Sequence, residues 1–187
     1  RDEDKEGDMK RPLNTLLQQI ETLNDIASSF STFAKMPIPE QERYELVHIV
    51  RNTVSLYKSN KGVNIGLQID AEPVYTLGDE QLMGRIINNI ILNAIQASEE
   101  NEAHIGFKLA SVGNNRVRLE ITDSGSGIRK EVRAKVFIPN FSTKERGSGI
   151  GLAIAKHGVE HAGGKIWFET EVGKGTSFFI ELSTEEQ

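Results

Sequence analysis

The chain contains no cysteine, which excludes disulfide bonds and thiolate metal sites and fits a reducing compartment. No apolar run approaches the ~20 residues needed to span a bilayer, and there is no secretory signal peptide. The formal net charge of −5 over 187 residues lacks the basic excess that is typical of nucleic-acid binders. We therefore expect a soluble, cytoplasmic protein that binds no nucleic acid and makes no direct membrane contact.

Residues 1–39 have a pattern of their own. A charged run over residues 1–10 is followed by an apolar heptad seam at Leu13, Leu16, Ile20, Leu23, Ala27, Phe30 and Ala34. The seam predicts a long helix that ends near Pro37 and Pro39, because proline lacks an N–H donor. Such a helix could pack on the following domain or join an oligomeric bundle, and the strict 3.5-residue period favours the bundle. Because the chain starts at Arg1 and not at Met, we expect a fragment of a longer protein.

The remaining chain alternates between helical and strand periodicity. Apolar residues at helical spacing predict helices over residues 44–58, 79–98, 128–137 and 149–162. Period-two alternation predicts a strand over residues 63–69, and runs bounded by turn residues predict further strands over residues 73–78, 103–111, 115–122, 165–171 and 176–182. The strands cluster in hairpins, so we expect an α+β fold. Its form would be a two-layer α/β sandwich with a mixed sheet of about five strands and helices on one face.

Two asparagines, Asn89 and Asn93, lie four residues apart and therefore share one face of a predicted helix. Carboxamides are costly to bury without partners. Their oxygens can ligate a hard cation such as Mg²⁺, which needs few protein ligands where phosphates supply the others. The alternative is a capping or core amide pair with no ligand.

The sequence Asp123-Ser-Gly-Ser-Gly follows a predicted strand. A carboxylate at a strand end can accept a hydrogen bond from an exocyclic amine, and glycines behind it let a flat base approach the backbone. An ordinary turn would have the same composition.

Glycines also open the last predicted helix. Phe137 and Phe141 flank a proline, Thr143 and Lys144 precede a polar loop, and G-x-G-x-G occupies residues 147–151. Backbone N–H groups at such a helix start bind phosphate, and the loop could close as a lid. The spacing differs from the dinucleotide fingerprint, and the later "GKGT" turn at 173–176 lacks the upstream glycine of a P-loop.

Taken in order, these motifs resemble the N, G1, F, G2 and G3 boxes of sensor histidine kinases. That family belongs to the Bergerat-fold ATP-binding superfamily, shared with gyrase and the Hsp90 chaperones. The resemblance covers roughly residues 44–183. Residues 20–39 also resemble the second helix of the dimerisation bundle in nitrogen-regulation-type sensor kinases. The resemblance implies a charged tail and partial bundle over residues 1–39, and a catalytic ATP-binding domain over residues 40–187.

The resemblance also implies roles for individual residues, with ATP and Mg²⁺ as cofactors. Asn93 would ligate Mg²⁺ with support from Asn89. Asp123 would bind the adenine amino group, with Gly125 and Gly127 beside it. The other implied ATP-binding positions include the lid anchors Phe137 and Phe141 and, at the lid base, Thr143 and Lys144, of which Lys144 could reach the terminal phosphate. Gly147, Gly149 and Gly151, together with Leu152, would cradle the phosphates. Gly175 and Thr176 would lie near the adenine. Of these residues, Asn93 and Lys144 would be catalytic.

The amide at Asn89 favours a kinase over a hydrolase. In gyrase-like relatives this position is a glutamate that activates water, whereas an amide has no basic lone pair near neutral pH. Poor hydrolysis suits an enzyme that saves the γ-phosphate for a histidine.

The family's phosphate acceptor is absent from the chain. That acceptor is a histidine in an H-E-x-x-N-P-like motif, and none of His48, His104, His157 and His161 lies in one. We therefore expect ATP binding without autophosphorylation in isolation. The full protein would be a homodimer that passes phosphate to a response-regulator receiver domain, and sensors of this type are often anchored in the inner membrane. The alternative is a nucleotide-binding regulatory module, such as an anti-sigma-type regulator or a degenerate sensor.

His157 and His161 form H-x-x-E-H with Glu160, which is a zinc-hydrolase signature. The motif needs a third ligand, and neither His48 nor His104 is placed by any defined spacing. We therefore expect the two histidines to be bystanders, one partly packed and one solvated.

Overall fold

The computed structural model describes residues 20, 27, 39–70, 73–98, 102–113, 115–142 and 149–185. The predicted heptad helix lies almost wholly outside this described part of the chain. The helix and the division of the chain at residue 39 therefore stay predictions.

A five-stranded mixed sheet forms the centre of the fold. Its strands are β2 (Val63–Ile69), β4 (Ala103–Ser111), β5 (Arg116–Asp123), β6 (Lys165–Glu171) and β7 (Gly175–Ser183). Their spatial order is β2-β4-β5-β7-β6, with β2 and β4 parallel and every other neighbouring pair antiparallel. The sheet confirms the predicted five-stranded mixed architecture.

Three α-helices cover one face of this sheet. They are α1 (Leu46–Ser55), α2 (Glu80–Ala97) and α3 (Gly151–His161). Buried and exposed residues alternate along β4, so one sheet face packs on the helices and the other faces solvent. Helix α2 packs on β4, β5 and β7, and α3 packs on α2 and β6. The predicted two-layer sandwich is confirmed. Among the described helices, none is long and apolar enough to cross a membrane.

Helix α2 begins as predicted. Asp79 is its N-cap residue, and the Asp79 carboxylate accepts a hydrogen bond from the Leu82 N–H at 2.8 Å. The buried face of α2 carries Leu82, Met83, Ile86, Ile87, Ile90, Ile91 and Ala94. The position of the helix axis is set by this apolar face, which fixes where the two asparagines of α2 can point.

A second, two-stranded sheet was missed by the sequence prediction. Strand β1 (Glu42–Glu45) pairs antiparallel with β3 (Tyr75–Gly78). Helix α1 therefore begins at Leu46 and not at Tyr44, with Glu45 as its N-cap; the Glu45 carboxylate accepts from the Val47 and His48 N–H groups at 2.9 and 2.7 Å. The predicted helix over 128–137 is a shorter 3-10 helix, Lys130–Lys135.

Candidate nucleotide-binding site

Asp123 is the last residue of β5, and its side chain is only 7% exposed. One carboxylate oxygen accepts hydrogen bonds from the Gly125 N–H at 2.8 Å and from the Thr176 N–H at 3.2 Å. The first bond tightens the turn after β5, and the second joins that turn to the adjacent strand β7. The carboxylate is therefore held in a fixed orientation at the strand end, on the helix-covered side of the sheet.

The loop after Asp123 is packed against two other elements, which explains its glycines. A Cβ on Gly125 would lie 2.6 Å from Ala97 Cβ at the end of α2. Gly127 has φ +70°, and a Cβ there would clash with the carbonyl oxygen of Glu171 in β6. Ser126 donates from its N–H to Ala97 O at 3.0 Å and accepts from Gly173 N–H at 2.9 Å. The loop after Asp123, the C-terminal end of α2 and the β6–β7 turn are thus fixed to one another.

The β6–β7 hairpin places Thr176 directly beside Asp123. The two residues are Cα partners across β5 and β7, and Thr176 is 5% exposed. Gly175, with φ +120°, lies so close to the Asp123 carbonyl that a Cβ would clash with it. We call residues 123–127 together with residues 170–176 the strand end of the site.

Asn89 and Asn93 are half-buried on α2, one turn apart. Asn89 Nδ2 donates to Gly151 O at 3.4 Å, and a Cβ on Gly151 would lie 3.1 Å from Asn89 Cγ. The asparagine face of α2 thus meets the start of α3. The N-cap of α3 is Ile150, whose apolar side chain makes no cap hydrogen bond to the first-turn N–H groups. Backbone N–H groups at a helix start of this kind can bind an anion. We call Asn89, Asn93 and residues 149–151 the helix end.

The two predicted lid anchors, Phe137 and Phe141, contact two different parts of the fold. The Phe137 ring lies 5.8 Å from the Phe168 ring, between ring centroids, and so joins the segment to β6. Gly149, with φ +64°, fits directly against Phe141, because a Cβ would lie 2.7 Å from the Phe141 backbone. Residues 141 and 149 therefore lie in contact, on either side of residues 143–148.

Three predicted site residues, Thr143, Lys144 and Gly147, lie outside the described part of the chain. Leu152 is described and packs, partly buried, on the hydrophobic core. The other predicted residues form the strand end, the helix end or the aromatic anchors. Thr170 was missed by the sequence analysis, although counting back from the "GKG" turn pairs it with Thr176 across the hairpin.

The H-x-x-E-H histidines do not converge on a metal site. His157 and His161 are both exposed, which corrects the prediction that one would be partly packed, and their ring centroids are 6.2 Å apart. Within the described residues, no group of three or more His, Cys, Asp or Glu side chains could hold a metal ion.

Residues 78–186 match the family model described as histidine kinase-, DNA gyrase B- and HSP90-like ATPase. Sporulation kinase E of Bacillus subtilis is 27% identical over 182 residues, which cover 95% of this chain. Nitrogen regulation protein NtrY of Azorhizobium caulinodans is 28% identical over 92% of the chain. The chain spans about a quarter of each relative, 24% and 23% of their lengths.

Solved structures agree with this family match. A mycobacterial sensor histidine kinase, MprB, aligns with TM-score 0.69 and 25% identity over 79% of this chain and 99% of its own. The histidine kinase ThkA in complex with the response regulator TrrA aligns with TM-score 0.71 and 24% identity over 95% of this chain and 52% of that chain. The predicted Bergerat fold is thereby confirmed.

Proposed function

Because this chain belongs to the family of histidine kinase-, DNA gyrase B- and HSP90-like ATPases, we propose that it is the ATP-binding catalytic domain of a sensor histidine kinase. It would transfer the γ-phosphate of ATP to a histidine of the longer protein. One observation carries this proposal: helix α2 joins the strand end to the helix end. Its residue Ala97 contacts Gly125, and its residue Asn89 contacts Gly151.

The separation of the two ends suits a nucleoside triphosphate. Ala97 and Asn89 are eight residues apart on α2, which corresponds to about 12 Å along the helix axis. A base bound beside Asp123 and Gly125 would leave its phosphates near Asn93 and Asn89. The orientation follows from chemistry, since a carboxylate accepts from an exocyclic amine but repels phosphate.

At the helix end, the donor groups fit a magnesium–phosphate complex. Asn93 would offer its carboxamide oxygen to Mg²⁺ with support from Asn89, while backbone N–H groups at residues 149–151 face the phosphates. Mg²⁺ when bound would neutralise phosphate charge. Lys144 would add a cation, and Thr143 and Gly147 would complete the phosphate surroundings. Asn89 cannot take a proton from water, which favours phosphoryl transfer over hydrolysis.

The acceptor histidine is proposed to lie on another helix of the longer protein. His48, His104, His157 and His161 are all exposed, and none lies in an H-E-x-x-N-P context. For the full protein we propose a cytoplasmic catalytic domain, a homodimer through the heptad helix, and transfer onward to a receiver-domain aspartate. The ThkA complex with a response regulator supports the last step by likeness of fold.

Nucleotide binding tests the proposal first, through calorimetric titration with magnesium and ADP. Asp123→Asn keeps one oxygen to accept from the Gly125 and Thr176 N–H groups. It replaces the other oxygen with an NH2 group, which is a donor and would meet the donor amine of adenine. We expect binding about 10- to 100-fold weaker than wild type. Asp70→Asn is the matched control, because Asp70 is exposed. A wild-type chain that binds no adenine nucleotide would refute the proposal.

Phosphoryl transfer is tested with γ-labelled ATP on a chain extended towards its N terminus. We expect acid-labile phosphohistidine on the added segment and none on the 187-residue chain alone. If the extended protein binds ATP but stays unlabelled, the chain is a nucleotide-binding regulator and not a kinase domain.

A further inference from the structure

Thr170 lies in β6, and its hydroxyl makes three contacts at the strand end. The hydroxyl accepts from Ile128 N–H at 2.9 Å and donates to Gly175 O at 3.0 Å. It also lies 3.0 Å from the hydroxyl of Thr176, its Cα partner across the hairpin. One half-buried side chain thus connects the loop after Asp123 to the turn before Thr176.

Counting hydrogens fixes the direction of the third contact. A hydroxyl carries one hydrogen and two lone pairs. Thr170 uses its hydrogen on Gly175 O and one lone pair on Ile128 N–H, so only its second lone pair remains for Thr176. All three bonds form together only if Thr176 donates its own hydrogen to Thr170. The Thr176 oxygen then has only lone pairs to offer to any other group.

These lone pairs lie beside Asp123. Thr176 and Asp123 are direct partners across β5 and β7, and both side chains are buried on the helix-covered side of the sheet. The backbone N–H of Thr176 already donates to the Asp123 carboxylate. A carboxylate is an acceptor only, so the two side chains together present acceptors and no donor.

We propose that Thr170 is a positioning residue that makes the strand end of the site selective for a purine with an amino group at position 6 against one with a carbonyl there. This inference rests on the proposed nucleotide function and adds a cause for base selectivity. An amino group can donate to the acceptor pair, whereas a 6-oxo group would place oxygen against oxygen. Without the Thr170 hydroxyl, the Thr176 hydrogen is released and can turn towards a carbonyl.

The test compares two nucleotides that differ at position 6 of the base, ADP and IDP, each titrated with magnesium. Wild type should prefer ADP. Thr170→Val keeps the shape of the side chain but removes its hydroxyl, and the ratio of the IDP to the ADP dissociation constant should fall about three- to tenfold. Thr170→Ser keeps the hydroxyl, so its ratio of dissociation constants should equal that of wild type.

A merely structural role for Thr170 predicts a different result. Thr170→Val would then weaken both nucleotides equally and leave the ratio unchanged, which would overturn the inference while ADP binding by wild type upholds the proposed function. If circular dichroism shows that Thr170→Val does not fold, Thr176→Val serves instead. Loss of the Thr176 hydroxyl oxygen as an acceptor should lower the ratio of the IDP to the ADP dissociation constant, and an unchanged ratio overturns the inference. A wild type that binds neither nucleotide overturns the proposed function and this inference together.

Discussion

The strand end and the helix end of the site are held by different kinds of contact. At the strand end, Gly125, Gly127 and Gly175 each touch another element so closely that a Cβ would collide with it. At the helix end, Asn89 reaches Gly151 through one long hydrogen bond of 3.4 Å, and the N-cap of α3 is apolar. The strand end is therefore held by tight backbone packing, as is Gly149 against Phe141, whereas the Asn89 side chain at the helix end is held by a long hydrogen bond. Substitutions of the strand-end glycines should therefore cost stability, and substitutions of the helix-end asparagines should cost binding with little loss of stability.

The largest effect is expected for Gly175→Ala at the strand end. Gly175 has φ +120° and lies against the Asp123 carbonyl, so alanine adds both backbone strain and a clash. We expect a loss of about 3 kcal/mol or more in the free energy of unfolding, measured by urea denaturation. Gly173→Ala is the control, since Gly173 has φ +79° but open space around it, and should cost about 1 kcal/mol. Equal losses would contradict the close packing.

A smaller change in stability but a clear change in binding is expected for Asn93→Ala at the helix end. Removing a metal-directed carboxamide should weaken magnesium-dependent ADP binding about tenfold, and chelation of magnesium should abolish the difference between the variant and wild type. The free energy of unfolding should change by less than about 1 kcal/mol. Asn52→Ala on the exposed side of α1 is the control and should bind like wild type. An Asn93 variant that unfolds readily but binds normally would break the comparison.

The smallest effect is expected far from both ends, at Glu181 on β7. Arg118 and Arg116 bond its carboxylate, each at 2.9 Å, and they hold the pKa of Glu181 below its usual value. A lowered pKa stabilises the fold above the carboxyl's unfolded pKa, and the gain is lost as pH falls through the folded pKa. Glu181→Gln should therefore cost at most about 1 kcal/mol near neutral pH and nothing in acid, measured by urea denaturation across pH. A constant cost at all pH values would rule out the charge as its cause.

Strand positions were predicted well from sequence where one face is buried. Residues 63–69 and 103–111 were predicted with the bounds that the structure has, because their apolar residues alternate. Residues 165–171 were also predicted with the correct bounds, because glycine-containing turns flank them. Strand β1 was missed because its residues, "ERYE", are mostly polar, and only pairing with β3 makes them a strand. The residue pattern within the four residues of β1 does not indicate that they pair with β3, which lies much later in the chain.

The site was predictable to the extent that its contacts are local. Asn89 and Asn93 share a face by helical periodicity alone, and glycines mark the tight turns. Thr170 and Ala97 escaped notice, because their contacts depend on hairpin register and on where α2 ends against a loop. The assigned roles of Asn93 and Asp123 remain predictions.

The most direct test of the central claim, that α2 joins a base site to a phosphate site, is amide NMR of the labelled chain. Magnesium with ATP should shift the signals of Gly125 and Thr176 at the strand end and of Asn89 and Gly151 at the helix end. Adenosine alone should shift only the first pair. Shifts confined to the solvent face of the sheet, or shifts of all four signals by adenosine alone, would contradict the claim.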